Sequence, residues 1–303
     1  MANPSMTALV SAFSRAYHSM YKEEKIFDDY LAREVLSPNE YDLIAHSMSK
    51  GIQFFNPGFT GNPREALRWI VDNQLSPAVL GRAAFAEKAL ELEVRIGTRQ
   101  YIILGAGYDT FAYRQPAWAS QLQIFELDAP VTSEDKQRRM SLFDRERPAN
   151  LHYIAVDFTE PGWVQALTAC PAFHPNKRSF CSLLGLSYYL ATPDFQSMIC
   201  NMAALVPEGS SLVFDYPDQD TLTEKAGERT RKQVAMAAQA GEKMQAGYSY
   251  EEIEKLLEKC DFLIYEHLTA DEINGQCFNR YNRANPEHPI TVENVCFCLA
   301  VKQ

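Results

Sequence analysis

Gln100-Tyr101-Ile102-Ile103-Leu104-Gly105-Ala106-Gly107-Tyr108-Asp109-Thr110 is the stretch on which the chain turns. An apolar, β-branched run, Tyr101 to Leu104, enters a turn built on Gly105 and Gly107, with Asp109 and Thr110 where a helix could begin. Glycines here let backbone N–H groups approach a ligand closely. Taken alone, the turn admits any nucleotide-like or charged cofactor.

Outward from this turn, short apolar runs alternate with helical patterns. Strands are expected at Tyr101–Leu104, Leu122–Leu127, Leu151–Val156, Ser179–Leu186 and Ser211–Tyr216, with helices at Thr132–Asp144, Gly162–Ala169 and Pro193–Leu205. Thr192-Pro193 suits a helix start, since Thr caps and Pro fits the first turn. Such alternation implies a parallel, doubly wound sheet with right-handed crossovers. Residues 219–247 are polar and Ala-rich and read as a helical insertion. Ser249 and Glu252 form a capping box for a helix ending near Cys260. Phe262–Thr269 and Asn294–Val301 are expected to pair as antiparallel strands around a long loop, Asp271 to Pro289.

Residues 5–95 read as helices with apolar positions at helical spacing. Asn62-Pro63 starts one, and another runs from about Pro77 to Val94, closed by Gly97. The division expected is a helical extension or lid over 1–97 and a cofactor-binding domain over 98–303. Tyr17, Phe27, Tyr30, Phe54 and Phe55 are the aromatics available to line a pocket in the extension; an aromatic stripe reads equally as core.

The 29 Lys and Arg against 39 Asp and Glu give a net charge of −10, which argues against a nucleic-acid or anionic-membrane partner. No apolar run approaches the roughly 20 residues a membrane helix needs. Met1-Ala2-Asn3-Pro4-Ser5 lacks the basic and apolar regions of a signal peptide, so a cytoplasmic location is expected. The seven cysteines show no CxxC pair and no neighbouring His at ligand spacing. They are read as buried free thiols, with no structural metal.

A glycine turn after the first strand and an acid, Asp128, at the end of the second suit an adenosine ligand. The spacing of Asp128 keeps a nicotinamide-dependent oxidoreductase open. Against it, Thr110 stands where the dinucleotide fingerprint needs its third glycine, and no second glycine signal follows. The short turn with Asp109 fits S-adenosylmethionine better.

Ile103-Leu104-Gly105-Ala106-Gly107-Tyr108-Asp109-Thr110-Phe111-Ala112-Tyr113-Arg114 resembles the LGAGxDTxxxR signature of the leucine carboxyl methyltransferase family, which includes bacterial O-methyltransferases of the tetracenomycin type. Phe125-Glu126-Leu127-Asp128-Ala129-Pro130 with Lys136 is similar to its ExDxPxxxxxK segment, and Ala155-Val156-Asp157-Phe158 to its third-strand element. Arg82 matches an arginine on the preceding helix. The similarity covers about residues 78–216. It implies a class I methyltransferase fold: an α/β, Rossmann-like, seven-stranded sheet, mostly parallel, with an antiparallel last strand.

The resemblance also implies roles. Arg82 would pair with the methionine carboxylate, with Gly105, Ala106, Gly107 and Asp109 forming the turn beside it. Asp128 would hold the ribose, and Asp157 and Phe158 would flank the adenine. One position departs from the pattern: Leu184, in Leu184-Gly185-Leu186-Ser187-Tyr188-Tyr189-Leu190, stands where the family carries a glutamate near the cofactor's methionine end. That leaves a non-catalytic cofactor-binding protein as a further alternative.

Methyl transfer needs an acceptor oxygen held in line and water excluded. A carboxylate acceptor needs orienting donors; a hydroxyl needs a general base. Tyr189 and Arg114 are the orienting candidates, with Arg280, Tyr281 and Arg283 in the late loop as substrate-binding candidates. His267, inside an apolar strand, reads as a core histidine. The expected activity is O-methylation of a carboxyl or hydroxyl group on a small organic molecule.

Overall fold

The computed structural model describes residues 5–303 except 143–144, 159, 161 and 240. Residues 1–4 of the N-terminal reading therefore lie outside the described part. Five helices come first: α1 (Met6–Tyr21), α2 (Ala32–Val35), α3 (Pro38–Lys50), α4 (Ile52–Phe55) and α5 (Pro63–Ile70). Asn62 caps α5 by accepting from the backbone N–H groups of Arg64 and Glu65, completed by Glu65. A π-helical turn, Val71–Leu75, joins α5 to the long α6 (Ser76–Arg95). These helices bury their own apolar cluster, which also takes in Tyr108 from the glycine loop and Met140.

The remainder runs β1 (Gln100–Leu104), β2 (Gln123–Asp128), α7 (Pro130–Met140), β3 (Leu151–Ala155), α8 (Trp163–Thr168), β4 (Ser179–Leu183), α9 (Thr192–Leu205) and β5 (Ser211–Pro217). Then follow α10 (Glu228–Gln239), α11 (Tyr250–Glu258), β6 (Phe262–Leu268), α12 (Ala270–Gln276), α13 (Asn279–Ala284) and β7 (Val295–Lys302). The seven strands form one sheet in the order β3-β2-β1-β4-β5-β7-β6. β1 to β5 are parallel, and β7 lies antiparallel between β5 and β6. The expected fold class is the observed one.

The central strands are buried along their whole length, because helices cover both faces and successive residues must serve opposite cores. Ile102 and Leu104 enter one core while Tyr101 and Ile103 enter the other. Strand order reverses between β1 and β4, so the loops after them diverge and open a crevice at the carboxyl ends of the strands.

Several expectations are corrected. β4 ends at Leu183, because Gly185 turns with φ +69°. The helix expected at Thr132–Asp144 is α7, starting at Pro130; positions 143 and 144 lie outside the described residues. The expected insertion is helical over Glu228–Gln239. The expected loop from Asp271 to Pro289 contains α12 and α13; Thr269 and Glu272 form the capping box that starts α12. The free-thiol reading fails for Cys200 and Cys260, which form a disulfide with Cα atoms 4.6 Å apart. They are 60 residues apart in sequence, and the packing of α11 against α9 brings them together. The other five cysteines are free. Among the described residues no helix is long and apolar enough to cross a membrane.

Candidate functional site

The glycine turn is fixed by β2. Gly105 and Ala106 donate their N–H groups to the Leu127 carbonyl at 2.9 and 3.1 Å. Gly105 and Gly107 adopt φ +69° and +48°, and a β-carbon on Gly107 would lie 3.2 Å from that of Ala8 in α1. The first helix thus packs directly over the turn. Asp109 accepts from the Phe111 N–H at 2.7 Å, tightening the loop's exit.

Asp128, at the end of β2, reaches across to the same turn. One carboxylate oxygen accepts from the Gly107 N–H and the other from its neighbour Ala129 at 2.7 Å. Burial pushes its carboxyl up, and those two N–H groups oppose the shift. Each oxygen keeps acceptor capacity for a ligand. Glu126, two residues earlier, has a different place. It is fully buried against Lys136 at 2.5 Å and is pushed up to about 7 by burial, with the lysine opposing. It ties β2 to α7 and does not line the cavity.

On the far side of β1 lies a cluster centred on Asp215 of β5. Its carboxylate accepts from the Gly185 N–H at 2.6 Å, the Tyr188 hydroxyl at 2.9 Å and Arg82 Nη1 at 3.1 Å. Its own carbonyl accepts from Ser187 at 2.6 Å. Asp215 is completely buried, and the Arg82 side chain is 17 % exposed. A buried cation and anion in this arrangement hold each other, and removing either leaves the other uncompensated at a cost of about 3–5 kcal/mol. Asp215 was not singled out from sequence. Its signal was an acid in the otherwise apolar run Leu212-Val213-Phe214-Asp215-Tyr216.

The glycine turn, Asp128, Arg82, Gly185 and Tyr188 border a cavity of about 730 Å³. Its walls include Arg82, Gly105, Ala106, Gly107, Asp109, Asp128, Leu184 and Tyr189 from the expected set. Beyond the strand ends it is bordered by α1, Phe27, Met48, the π-helical turn and α10. No histidine or cysteine is among the described residues lining it. The hydroxyls of Tyr188 and Tyr189 are driven up in pKa by burial, so both are donors rather than bases.

Other expected residues lie elsewhere. Asp157 and Phe158 follow β3, off the cavity wall; Asp157 is exposed and Phe158 packs edge-on against Trp163 at 5.9 Å. Arg114 turns away from the cavity to pair with Glu87 of α6, to donate to Thr110 at 2.9 Å and to approach Asp29 at 3.4 Å. Arg280 pairs with Glu24 at the surface at 2.6 Å, Tyr281 is buried beside His18, and Arg283 is exposed. None of these four lines the cavity; for the last three the reason is that the late segment folds as α13 against α1 rather than as a loop at the strand ends. Of the five aromatics, Phe27 reaches the cavity; Tyr17 and Phe55 are core, while Tyr30 and Phe54 are exposed. His267 bonds the Tyr216 hydroxyl at 2.6 Å outside this cavity.

The N-terminal helices are latched to the glycine loop through Asp29, another residue the sequence did not single out. It accepts from Arg15 Nε at 2.8 Å and from the Thr110 hydroxyl. Burial pushes its carboxyl up, but Arg15 and Arg114 outweigh that and hold it below the usual range. Arg15 also donates to the Tyr108 carbonyl at 2.7 Å.

Against known proteins, residues 8–203 match the family model "Leucine carboxyl methyltransferase". The chain is 41% identical over 280 residues to "Putative S-adenosyl-L-methionine-dependent methyltransferase YktD" of Bacillus subtilis (strain 168), covering 91% of each chain. It is 28% identical over 232 residues to "Putative S-adenosyl-L-methionine-dependent methyltransferase Rv3399" of Mycobacterium tuberculosis (strain ATCC 25618 / H37Rv), covering 77% of this chain and 63% of that one. Among solved structures, a DUF574-family protein from Streptomyces avermitilis MA-4680 shares the fold with a TM-score of 0.59 at 14% identity, covering 97% of both chains.

Proposed function

We infer the chemistry from the premise that this chain belongs to the leucine carboxyl methyltransferase family and is an S-adenosylmethionine-dependent methyltransferase. The nicotinamide-dependent alternative has no support among the relatives. The residues present fit the cofactor. A carboxylate, Asp128, and a guanidinium, Arg82, stand on the wall of one cavity, on either side of a turn whose glycines leave room for close backbone approach. In this reading Asp128 takes the ribose hydroxyls and Arg82 the methionine carboxylate. Gly105, Ala106, Gly107 and Asp109 shape the turn. Asp157 and Phe158 follow β3 off the wall of this cavity, and their assignment to the adenine rests on the family resemblance alone.

When bound, S-adenosylmethionine supplies an electrophilic methyl group on a sulfonium. The protein's task is then to hold an acceptor oxygen in line with it and keep water out. The 1–97 segment acts as the lid and 98–303 as the cofactor-binding domain. The start of α1 covers the glycine turn and is held across the cavity by Glu242, which accepts from Ser5 at 3.2 Å and from Thr7. Met6, Val10, Phe27, Met48, Leu75 and Met236 give the part beyond the strand ends an apolar lining.

The acceptor we propose is a carboxylate on a small organic molecule with an apolar body. One observation carries this choice: the described cavity wall holds no histidine, and its glutamates, Glu242 and Glu293, are already engaged by Thr7 and Thr230. A carboxylate needs no base, whereas a hydroxyl does. Tyr189 is the donor closest in kind to an orienting group for it. The test is to incubate the protein with methyl-labelled cofactor and a panel of aromatic and aliphatic acids, then treat products with base. Methyl esters release labelled methanol; a base-stable labelled ether would replace this reading with hydroxyl methylation.

A further inference from the structure

We propose that Asp215 is the positioning carboxylate for the amino-acid end of the cofactor, supplied by β5 in place of the glutamate that the Leu184 position lacks. The proposal rests on the reading of the cavity as the S-adenosylmethionine site. Its ground is strand register. Leu183 pairs with Phe214, and both side chains enter the core on one face of the sheet. The next residue in each case, Leu184 just past the end of β4 and Asp215 within β5, turns to the other face. There Leu184 packs with the cluster that includes Phe85 and Ala86 of α6. That helix also carries Arg82. An acid at the end of either strand therefore meets the same guanidinium, and in this chain it stands one strand over.

The contacts suit positioning rather than direct ligand contact. Asp215 is completely buried and is not part of the cavity wall, whereas its three partners Arg82, Gly185 and Tyr188 are. Through one carboxylate it sets the loop after β4, by the Gly185 N–H, and the guanidinium of α6, by Nη1. Arg82 donates no other hydrogen bond among the described residues. A guanidinium has five N–H donors, so the rest remain for a ligand carboxylate, which this planar group recognises in bidentate fashion. The Asp215 carboxylate, 3.1 Å from Nη1, holds the orientation of that guanidinium fixed before the ligand arrives.

The experiment compares two ligands by calorimetric titration. S-adenosylhomocysteine carries the amino-acid part, and 5′-methylthioadenosine lacks it while keeping the nucleoside and sulfur. In Asp215→Asn, affinity for S-adenosylhomocysteine is expected to fall roughly ten- to a hundred-fold, the range of a lost charge-assisted bond, with methylthioadenosine changed by less than about two-fold. Equal loss for both ligands, or no loss for either, overturns the proposal. Because Asp215→Asn strips a buried guanidinium of its acid, Leu184→Glu/Asp215→Asn is measured beside it. Returning the carboxylate to β4 is expected to restore S-adenosylhomocysteine binding, and a folded double variant that stays weak for that ligand overturns the proposal as well. A wild-type protein that binds neither ligand refutes the cofactor reading itself. One that binds both, with variants that do not tell them apart, refutes only the role of Asp215.

Discussion

Gly185 and Arg82 are packed so closely that a β-carbon on Gly185 would lie 2.5 Å from Nη2 of the arginine. The glycine also sits at φ +69°, where a side chain is strained. The turn after β4 and the cation of α6 are thus fitted to each other, and the absence of a side chain at 185 is part of the site.

Gly185→Ala is therefore expected to lower stability by about 1–2 kcal/mol from conformation alone and to push the guanidinium out of place. Denaturant unfolding measures the first effect. Titration with S-adenosylhomocysteine measures the second, as a loss of at least roughly ten-fold, equivalent to one displaced charged hydrogen bond. Unchanged affinity in a destabilised protein would show that Arg82 does not hold the ligand.

Asp128→Ala removes the carboxylate that faces the glycine turn. Cofactor affinity is expected to drop by about 1–3 kcal/mol, the worth of hydrogen bonds to a charged partner. Since Asp128 also receives the Gly107 N–H, some of that loss will be loop order. Asp128→Asn keeps the shape and an acceptor, and should fall between. A wild-type affinity in both variants would mean that the ribose is held elsewhere.

The α13 residues separate surface from core. Arg280→Ala breaks only an exposed pair with Glu24, so stability and cofactor affinity should stay within about 0.5 kcal/mol of wild type. Tyr281→Ala empties a buried position beside His18 and should cost about 3–5 kcal/mol of stability. Tyr281→Phe removes a buried hydroxyl that has no hydrogen-bond partner among the described residues and should be close to neutral. A large loss of turnover in a fully stable Arg280→Ala protein would return this segment to the substrate site.

His18 gives the chain an acid sensitivity. Its Nε2 accepts from the Ile26 N–H at 2.9 Å, and Nδ1 is buried without a hydrogen-bond partner among the described residues. Burial, helped by Lys22 and Lys25, depresses its pKa to about 3. The unfolded chain takes up this proton near 6.5 and the folded chain does not. Stability is thus full above about pH 6.5 and falls as pH drops toward 3, by up to about 1.4 kcal/mol per unit. His18→Gln keeps an acceptor for Ile26 and removes the proton. Urea unfolding between about pH 7 and pH 5 should show a shallower slope for the variant; parallel slopes would assign the sensitivity to other groups.

The strands, their order of appearance and the glycine turn were legible because each is local. Apolar runs, turn glycines and capping residues express their preference within a few positions. Short helices such as α12 and α13 were missed because their signals are brief: one capping box at Thr269 and Glu272, and a polar sequence whose buried face is Tyr281 and little else.

By itself the sequence determined the sheet's class, the family motifs and the candidate cofactor residues from Arg82 to Asp128. Only the tertiary structure decided which of them share a cavity, and which acid meets Arg82. Arg82 and Asp215 are 133 residues apart, and their meeting depends on β5 lying beside β4 in register and on α6 crossing that face. Side-chain direction alternates along a strand, so a charge at one position reaches a site only through the pairing that sets its neighbour. Pairing is a property of the folded sheet, not of either strand alone.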